Sequence, residues 1–284
     1  MPTPTPTVTP TPTPAPGPVT GELKPNAMSA IAASTQFLTI NAARNITSER
    51  SVVAPPSPLT VSYDAVTRTY TLQNEQRTRQ FGPSQFVGEA SVPDYYPRVE
   101  YSSAASGEQD FLVVFKAPNA KPAMPFAYGA HGAWQHNSPQ GSDTRTRLDY
   151  FTFGTPTPLS GMPTSGSVTY RFAGTGNFAE PNLLFFAVTS GTIRVDFAAG
   201  TVRATISPTG SDFFGGNFGG LTPFNLNGII SGNGATGASE FNAVGWSGNY
   251  KLQFYGPRAE EVGLVFTGIG FNASQNGALI GVTP

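Results

Sequence analysis

The segment Leu59-Thr60-Val61-Ser62-Tyr63 alternates apolar and polar residues with period two, and Thr69-Tyr70-Thr71-Leu72 answers it across a polar turn. That pattern predicts a half-buried hairpin. Further strands are predicted at Val99–Tyr101, Phe111–Phe115, Phe126–Trp134 and Leu148–Phe153, with proline breaks at Pro55-Pro56, Pro93, Pro97, Pro122 and Pro125. The alanine- and serine-rich stretch from Met28 to Leu38 reads as a short helix.

The second half of the chain is cleaner. Val168/Tyr170/Phe172, Ile193/Val195/Phe197 and Val202/Ala204/Ile206 each occupy alternate positions. Eight strands are predicted near Ser167–Gly174, Thr192–Phe197, Thr201–Ser207, Pro223–Ser231, Glu240–Gly245, Tyr250–Tyr255, Glu261–Phe271 and Ala278–Val282. Ala198-Ala199-Gly200 supplies a three-residue hairpin loop with glycine where positive φ is needed. A change of phase between Phe266 and Ile269 predicts a bulge. Eight short antiparallel strands in series define an up-and-down β-barrel, so the chain is predicted to be all-β. The organisation is then 1–23 stalk or disordered linker, 24–159 β-rich domain, and 160–284 eight-stranded barrel.

Composition narrows the partners. Sixteen basic and seventeen acidic residues leave a formal charge of −1, with no basic stripe of the kind a phosphate backbone demands, so nucleic acid is not an expected ligand. The absence of cysteine removes disulfides, thiolate metal sites and cysteine nucleophiles, together with any lipid attachment point within these residues. Pro2 to Pro18 alternate largely with threonine and hold eight prolines without a charge. Such a segment favours extended polyproline II, and eighteen residues at about 3.1 Å each reach roughly 56 Å. Two readings are open, a semi-rigid stalk above a membrane and a disordered tail; the first places a lipidated cysteine of a full-length precursor just ahead of residue 1.

Chemistry-bearing clusters are few. His131 and His136 fall five apart and point to opposite faces of a continuous strand, so a shared metal would need a bulge and carboxylates such as Asp143 or Asp149. No metal site is expected, and aromatic packing with partly exposed imidazoles accounts for the pair. Gly174-Thr175-Gly176 and Gly215-Gly216-Asn217-Phe218-Gly219-Gly220 lack the helix and the lysine of a phosphate-binding loop and read as barrel turns. Phe213, Phe214 and Phe218 either fold down as a barrel plug or form a partner-binding tip. Tyr95 and Tyr96 beside Arg98 form either a contact patch or ordinary strand packing. Glu260 and Glu261 are adjacent and diverge on a strand, so they cannot flank one glycosidic bond. Neither Gly-x-Ser-x-Gly nor His-Glu-x-x-His is present, and no catalytic residue is assigned.

Phe151–Thr157, Val195-Asp196-Phe197, Phe254–Gly263 and Gly277–Val282 form an ordered series at domain-sized spacing. Through it the chain from about Leu59 onward resembles the handle-and-barrel lobe of the surface lipoproteins typified by the large transferrin-binding protein of Gram-negative bacteria. Phe254-Tyr255-Gly256-Pro257-Arg258-Ala259-Glu260-Glu261-Val262-Gly263 and Gly277–Val282 resemble its last three strands, and Val195-Asp196-Phe197 its second barrel strand. Phe151–Thr157, leading through Met162-Pro163 to Gly166–Tyr170, is similar to its handle-to-barrel junction. Leu59–Leu72 looks like its opening hairpin, and Ala127-Tyr128-Gly129 with Gly132-Ala133-Trp134 like its central strand. The resemblance implies one lobe, a monomer, and a non-enzymatic protein of the outer-membrane surface, held there only through a lipid anchor. It implies binding of a small-molecule or protein ligand and cooperation with a TonB-dependent outer-membrane receptor in nutrient uptake. No cofactor is implied, although relatives that bind haem make it a candidate ligand through a histidine or Tyr128. Tyr95, Tyr96, Arg98, Tyr128, His131, Trp134, His136, Phe213, Phe214 and Phe218 are the candidate contacts. The alternative reading is a structural or adhesive module that binds glycans or proteins without transport.

Overall fold

The computed structural model describes residues 30–43, 46–52, 59–64, 66–90, 98–115, 127–180, 183–212, 217–220, 223–241, 245–270 and 273–283. The N-terminal half contributes β1 (Ala30–Ile40), β2 (Ile46–Val52), β3 (Thr60–Asp64), β4 (Thr69–Gln73), β5 (Thr78–Phe81), β6 (Phe86–Ala90), β7 (Arg98–Ala105), β8 (Glu108–Phe115), β9 (Gly129–Gln140) and β10 (Asp143–Gly154). These form a seven-stranded sheet, ordered β2-β1-β10-β9-β8-β7-β6, and a three-stranded sheet of β3, β4 and β5. The predicted hairpin pairs Val61 with Leu72 and Tyr63 with Tyr70.

The C-terminal half contributes β11 (Ser167–Glu180), β12 (Leu183–Asp196), β13 (Thr201–Asp212), β14 (Asn217–Gly220), β15 (Phe224–Ser231), β16 (Gly234–Phe241), β17 (Ser247–Tyr255), β18 (Glu261–Gly270) and β19 (Ala273–Val282). Leaving aside the short β14, eight of them close a cylinder, because β19 pairs back onto β11 and β12 onto β13. Closure satisfies every ladder and removes the free edges that would otherwise template association.

Apolar side chains pack across the described barrel interior. Tyr170, Phe172, Ile193, Val195, Val202, Ile206, Phe224, Leu226, Leu252, Phe254, Leu264 and Phe266 pack there at 3% exposure or less. Each fully buried side chain of this size contributes about 1.5–3 kcal/mol over its exposed state. On the other side of the seam the seven-stranded sheet is covered twice. Val114, Trp134, Phe151 and Phe153 meet Leu59, Val61, Leu72 and Phe81 of the small sheet. Its opposite face presents Ala133, Leu148 and Tyr150 to Val265 and Ala278 on the barrel wall.

Several expectations are corrected. The helix expected over Met28–Leu38 is not found in its described part: among the described residues there is no α-helix, and Ala30–Ile40 is β1, held between β2 and β10. Alanine-rich composition favours a helix locally, and pairing on both edges overrides that preference. Gly174-Thr175-Gly176 is not a turn but the middle of β11, facing Leu279, Ala278 and Gly277. A Cβ on Gly174 would lie 2.1 Å from the Ala278 carbonyl oxygen, so the glycine permits close strand approach. The strand placed at Glu240–Gly245 is Gly234–Phe241. No bulge interrupts β18, whose register is continuous on both sides from Glu261 to Ile269. The alternation there is masked because β18 is buried on both faces, by the barrel core and by the handle, until Ile269 emerges at 46% exposure.

Candidate functional site

The seam between the halves is built from the segment that ends β17 and starts β18. Tyr255 points out of the barrel toward the handle and is fully buried. Cβ atoms on Gly129, Gly154 and Gly263 would lie 2.9, 3.0 and 2.5 Å from its ring, so three glycines of three strands make the slot it occupies. Its hydroxyl donates to Thr152 Oγ1 at 3.0 Å. The chain then turns at Gly256, whose φ of 86° favours glycine. Thr155 and Thr157 of the connecting segment pair with this rim: Gly256 N–H donates to the Thr155 carbonyl at 3.0 Å and Thr157 N–H to that of Phe254 at 2.9 Å.

Glu261, 1% exposed, closes the seam. Its carboxylate accepts the backbone N–H groups of Ala127, Tyr128 (3.1 Å) and Gly129 (2.8 Å). Burial pushes its carboxyl up to about 7, against the opposite pull of the three N–H donors, and nearby Glu260 raises it further. Two more polar ties cross the same face, Tyr150 Oη to Asn177 Oδ1 at 2.7 Å and Gln36 Nε2 to Ser274 Oγ at 2.9 Å.

Inside the handle, two ionic clusters lock the small sheet onto the large one. Asp149 accepts from Arg147 Nε at 2.9 Å, from Thr35 Oγ1 at 2.5 Å and from Asn74 Nδ2 at 3.3 Å. Burial raises its carboxyl, with Arg147 opposing. The second centres on Asp110, which accepts from Arg79 Nε at 2.6 Å and Trp134 Nε1 at 3.1 Å. His136 Nδ1 lies 3.0 Å from Asp110 Oδ1 and 2.5 Å from Arg77 Nη1; it donates to the first or accepts from the second, never both.

The residues singled out from sequence do not assemble into one site. Trp134 and His136 share the Asp110 cluster, whereas His131 faces the other way, 3% exposed and stacked on Phe115 at 4.5 Å. Burial depresses the His131 imidazole to about 3, keeping it neutral. Arg98 bonds Glu100 on its own strand at 2.5 Å. Tyr128 lies at the seam, with its ring over Gly256. Tyr95, Tyr96, Phe213 and Phe214 lie outside the described residues, as does the proline–threonine tract, and Phe218 is described only as part of β14. Among the described residues no group of three or more metal-ligating side chains comes together.

Sequence reading missed the barrel wall turned away from the handle. Outward positions on β12, β13, β15 and β16 place Thr192, Arg194, Arg203, Thr205, Asn225, Asn227 and Glu240 around a shallow depression of about 330 Å³. A wider one of about 780 Å³ continues past Thr201, Ile229, Ser231 and Thr236. Asn227 Nδ2 donates to Glu240 Oε2 at 3.0 Å, and Thr205 Oγ1 to Asn225 Oδ1 at 3.0 Å. The loop spans Phe197–Gly200 rather than Ala198–Gly200, so Asp196 pairs with Thr201 and Arg194 stands directly against Arg203.

A handle of two stacked sheets thus adjoins a closed eight-stranded barrel whose interior is packed with apolar side chains. Residues 162–283, the barrel itself, match the family described as the C-lobe and N-lobe β-barrels of transferrin-binding protein B, so the resemblance drawn from the sequence holds over that domain. The intact Ap-TbpB, with N and C lobes, is similar at 16% identity and a TM-score of 0.50, over 91% of this chain and 46% of that one. Isotype 1 transferrin-binding protein B of serogroup B Neisseria meningitidis aligns at 14% identity over 88% of this chain and 43% of its own, with a TM-score of 0.43. The N-lobe domain of lactoferrin-binding protein B of Moraxella bovis aligns at 11% identity over 89% and 100%, with a TM-score of 0.39. The chain thus spans about half the length of the two-lobed proteins. No curated protein matches the sequence.

Proposed function

We propose that the protein is a non-enzymatic lipoprotein of the outer-membrane surface that binds a solute or a carrier protein and passes it to a TonB-dependent transporter. The observation that carries this reading is the filled barrel: with Phe172, Phe224, Phe254 and Phe266 packed across its interior, the described core holds its own side chains and ligand capture falls to the exterior and the rims. The similar solved proteins are named for binding transferrin and lactoferrin, which makes a host iron-carrier protein the first ligand class to test. Haem is the small ligand to test beside it. His131 and His136 are both buried within the handle, which leaves Tyr128 as the accessible donor of the three candidates.

Binding of immobilised protein to iron-loaded transferrin and lactoferrin, measured by interferometry, and haemin titration followed by its absorption band, test the ligand. Saturable binding of one of them is expected. Proteolytic shaving of intact cells tests placement; a protein that resists shaving and binds none of the three overturns the reading.

A further inference from the structure

We infer that the barrel wall opposite the handle carries a second binding site, for a carboxylate-bearing polysaccharide, independent of the carrier reading above. Arg194 and Arg203 are direct cross-strand partners, so their Cα atoms stand about 5 Å apart. Like charges directly opposite are destabilising on a sheet. Neither guanidinium has a hydrogen-bond or ion-pair partner among the described residues. Arg171 pairs with Thr192, which makes it a diagonal neighbour of Arg194 and adds a third unpaired cation to the same wall. Asp196, a diagonal neighbour of Arg203, and Glu240 share this wall without forming an ion pair to the arginines, so the planar guanidinium forks stay open to a carboxylate.

The rest of the lining selects sugar over protein. Thr192, Thr201, Thr205 and Thr236 supply hydroxyls, and Asn225 and Asn227 supply amides. Glu240, already accepting from Asn227, lines both depressions with Arg203 and makes no ion pair with it, which leaves it an acceptor for sugar hydroxyls. The only large exposed apolar side chain along the depression is Ile229, too little for the apolar centre a protein interface needs. The two depressions share Arg203, Asn227 and Glu240, so they form one open trough that runs across strands, a shape for a chain rather than for a small molecule. The trough lies on β12, β13, β15 and β16, whereas the handle rests on β18 and β19, so the site stays open whatever occupies the rims.

The test uses the full chain and three polymers: polygalacturonate, uncharged dextran and polyglutamate, with binding measured by interferometry at low and physiological salt. Polygalacturonate is expected to bind, dextran not to bind, and polyglutamate to bind at least tenfold more weakly. Arg194→Ala/Arg203→Ala is expected to weaken polygalacturonate binding at least tenfold, with Arg258→Ala, an exposed arginine on the β17–β18 turn, leaving it unchanged. Unaltered thermal melts show that the variants fold. Absence of polygalacturonate binding, an equal loss in Arg258→Ala, or retention in the double variant overturns the site. Equal binding of polyglutamate overturns the sugar and reassigns the wall to an acidic polypeptide.

Discussion

Glu261 on the barrel and Gly129 on the handle are joined by a 2.8 Å hydrogen bond, carboxylate to backbone N–H, between residues 132 positions apart in sequence. With Ala127 and Tyr128 donating to the same carboxylate, one side chain satisfies three consecutive backbone donors at the seam. Glu261→Ala leaves those donors without their acceptor and is expected to cost about 2–4 kcal/mol. Urea denaturation reads it directly, and a loss under 1 kcal/mol would show that water replaces the carboxylate freely.

The same residue sets a pH dependence. Its folded value near 7 lies above the ordinary 4.5, so the native state holds the extra proton across that window and this group's contribution falls as pH rises from about 4.5 through 7. His131 works in the opposite sense. Its folded value near 3 lies below 6.5, so its contribution is complete above 6.5 and is lost as pH falls toward 3. Between pH 5 and 6.5 the two slopes oppose each other. Stability of Glu261→Gln minus wild type is expected to rise with pH there, by roughly 1–2 kcal/mol. His131→Phe minus wild type is expected to fall. Taking differences removes Asp149, which burial also raises. Parallel curves for all three proteins would contradict both assignments.

Tyr255 tests the glycine slot. Tyr255→Phe loses only the Thr152 hydrogen bond and is expected to cost about 1 kcal/mol, whereas Tyr255→Ala opens a cavity and is expected to cost about 3–5 kcal/mol. Gly263→Val drives two methyl groups into the ring and is expected to destabilise by about 1–3 kcal/mol. Thermal melts rank the three, and a Gly263→Val protein as stable as wild type would disprove the tight fit.

Arg147 and Asp149 are 4% and 1% exposed and bonded to each other. Removing either partner leaves a buried charge, so Arg147→Ala and Asp149→Ala are each expected to cost about 3–5 kcal/mol, while Arg147→Met/Asp149→Leu recovers most of that loss. A double-variant cycle by chemical denaturation measures it, and additive losses would mean the pair is uncoupled.

What could be read from the chain followed its local periods. Alternation in Val168/Tyr170/Phe172 and Ile193/Val195/Phe197 reported one buried face, which is what a barrel wall away from the handle has. Reading failed where burial became two-sided or pairing became long-range. Residues 261–267 are buried without interruption, so period two vanished and a bulge was inferred in its place. Gly174 and Gly176 looked like turn residues because nothing local reveals that Ala278 and Asn276 carbonyls press against them. Glu261 was visible as the first residue of a strand but not as a clamp, since its three partners lie more than 130 positions away. Arg194 and Arg203 escaped because a three-residue loop at Ala198–Gly200 would set Arg194 against Ala204, whereas the loop spans Phe197–Gly200 and brings the two arginines opposite each other.

The wall beneath the handle carries Ala173, Thr175, Val265, Thr267, Asn276, Ala278 and Ile280, none more than 4% exposed. A gene truncation between Pro158 and Ser167 that removes the handle would bare that stripe to water. The liberated cylinder would then be sticky along one side, and shortened versions made for immunisation or crystallography will need those positions recoloured with charge to stay dispersed.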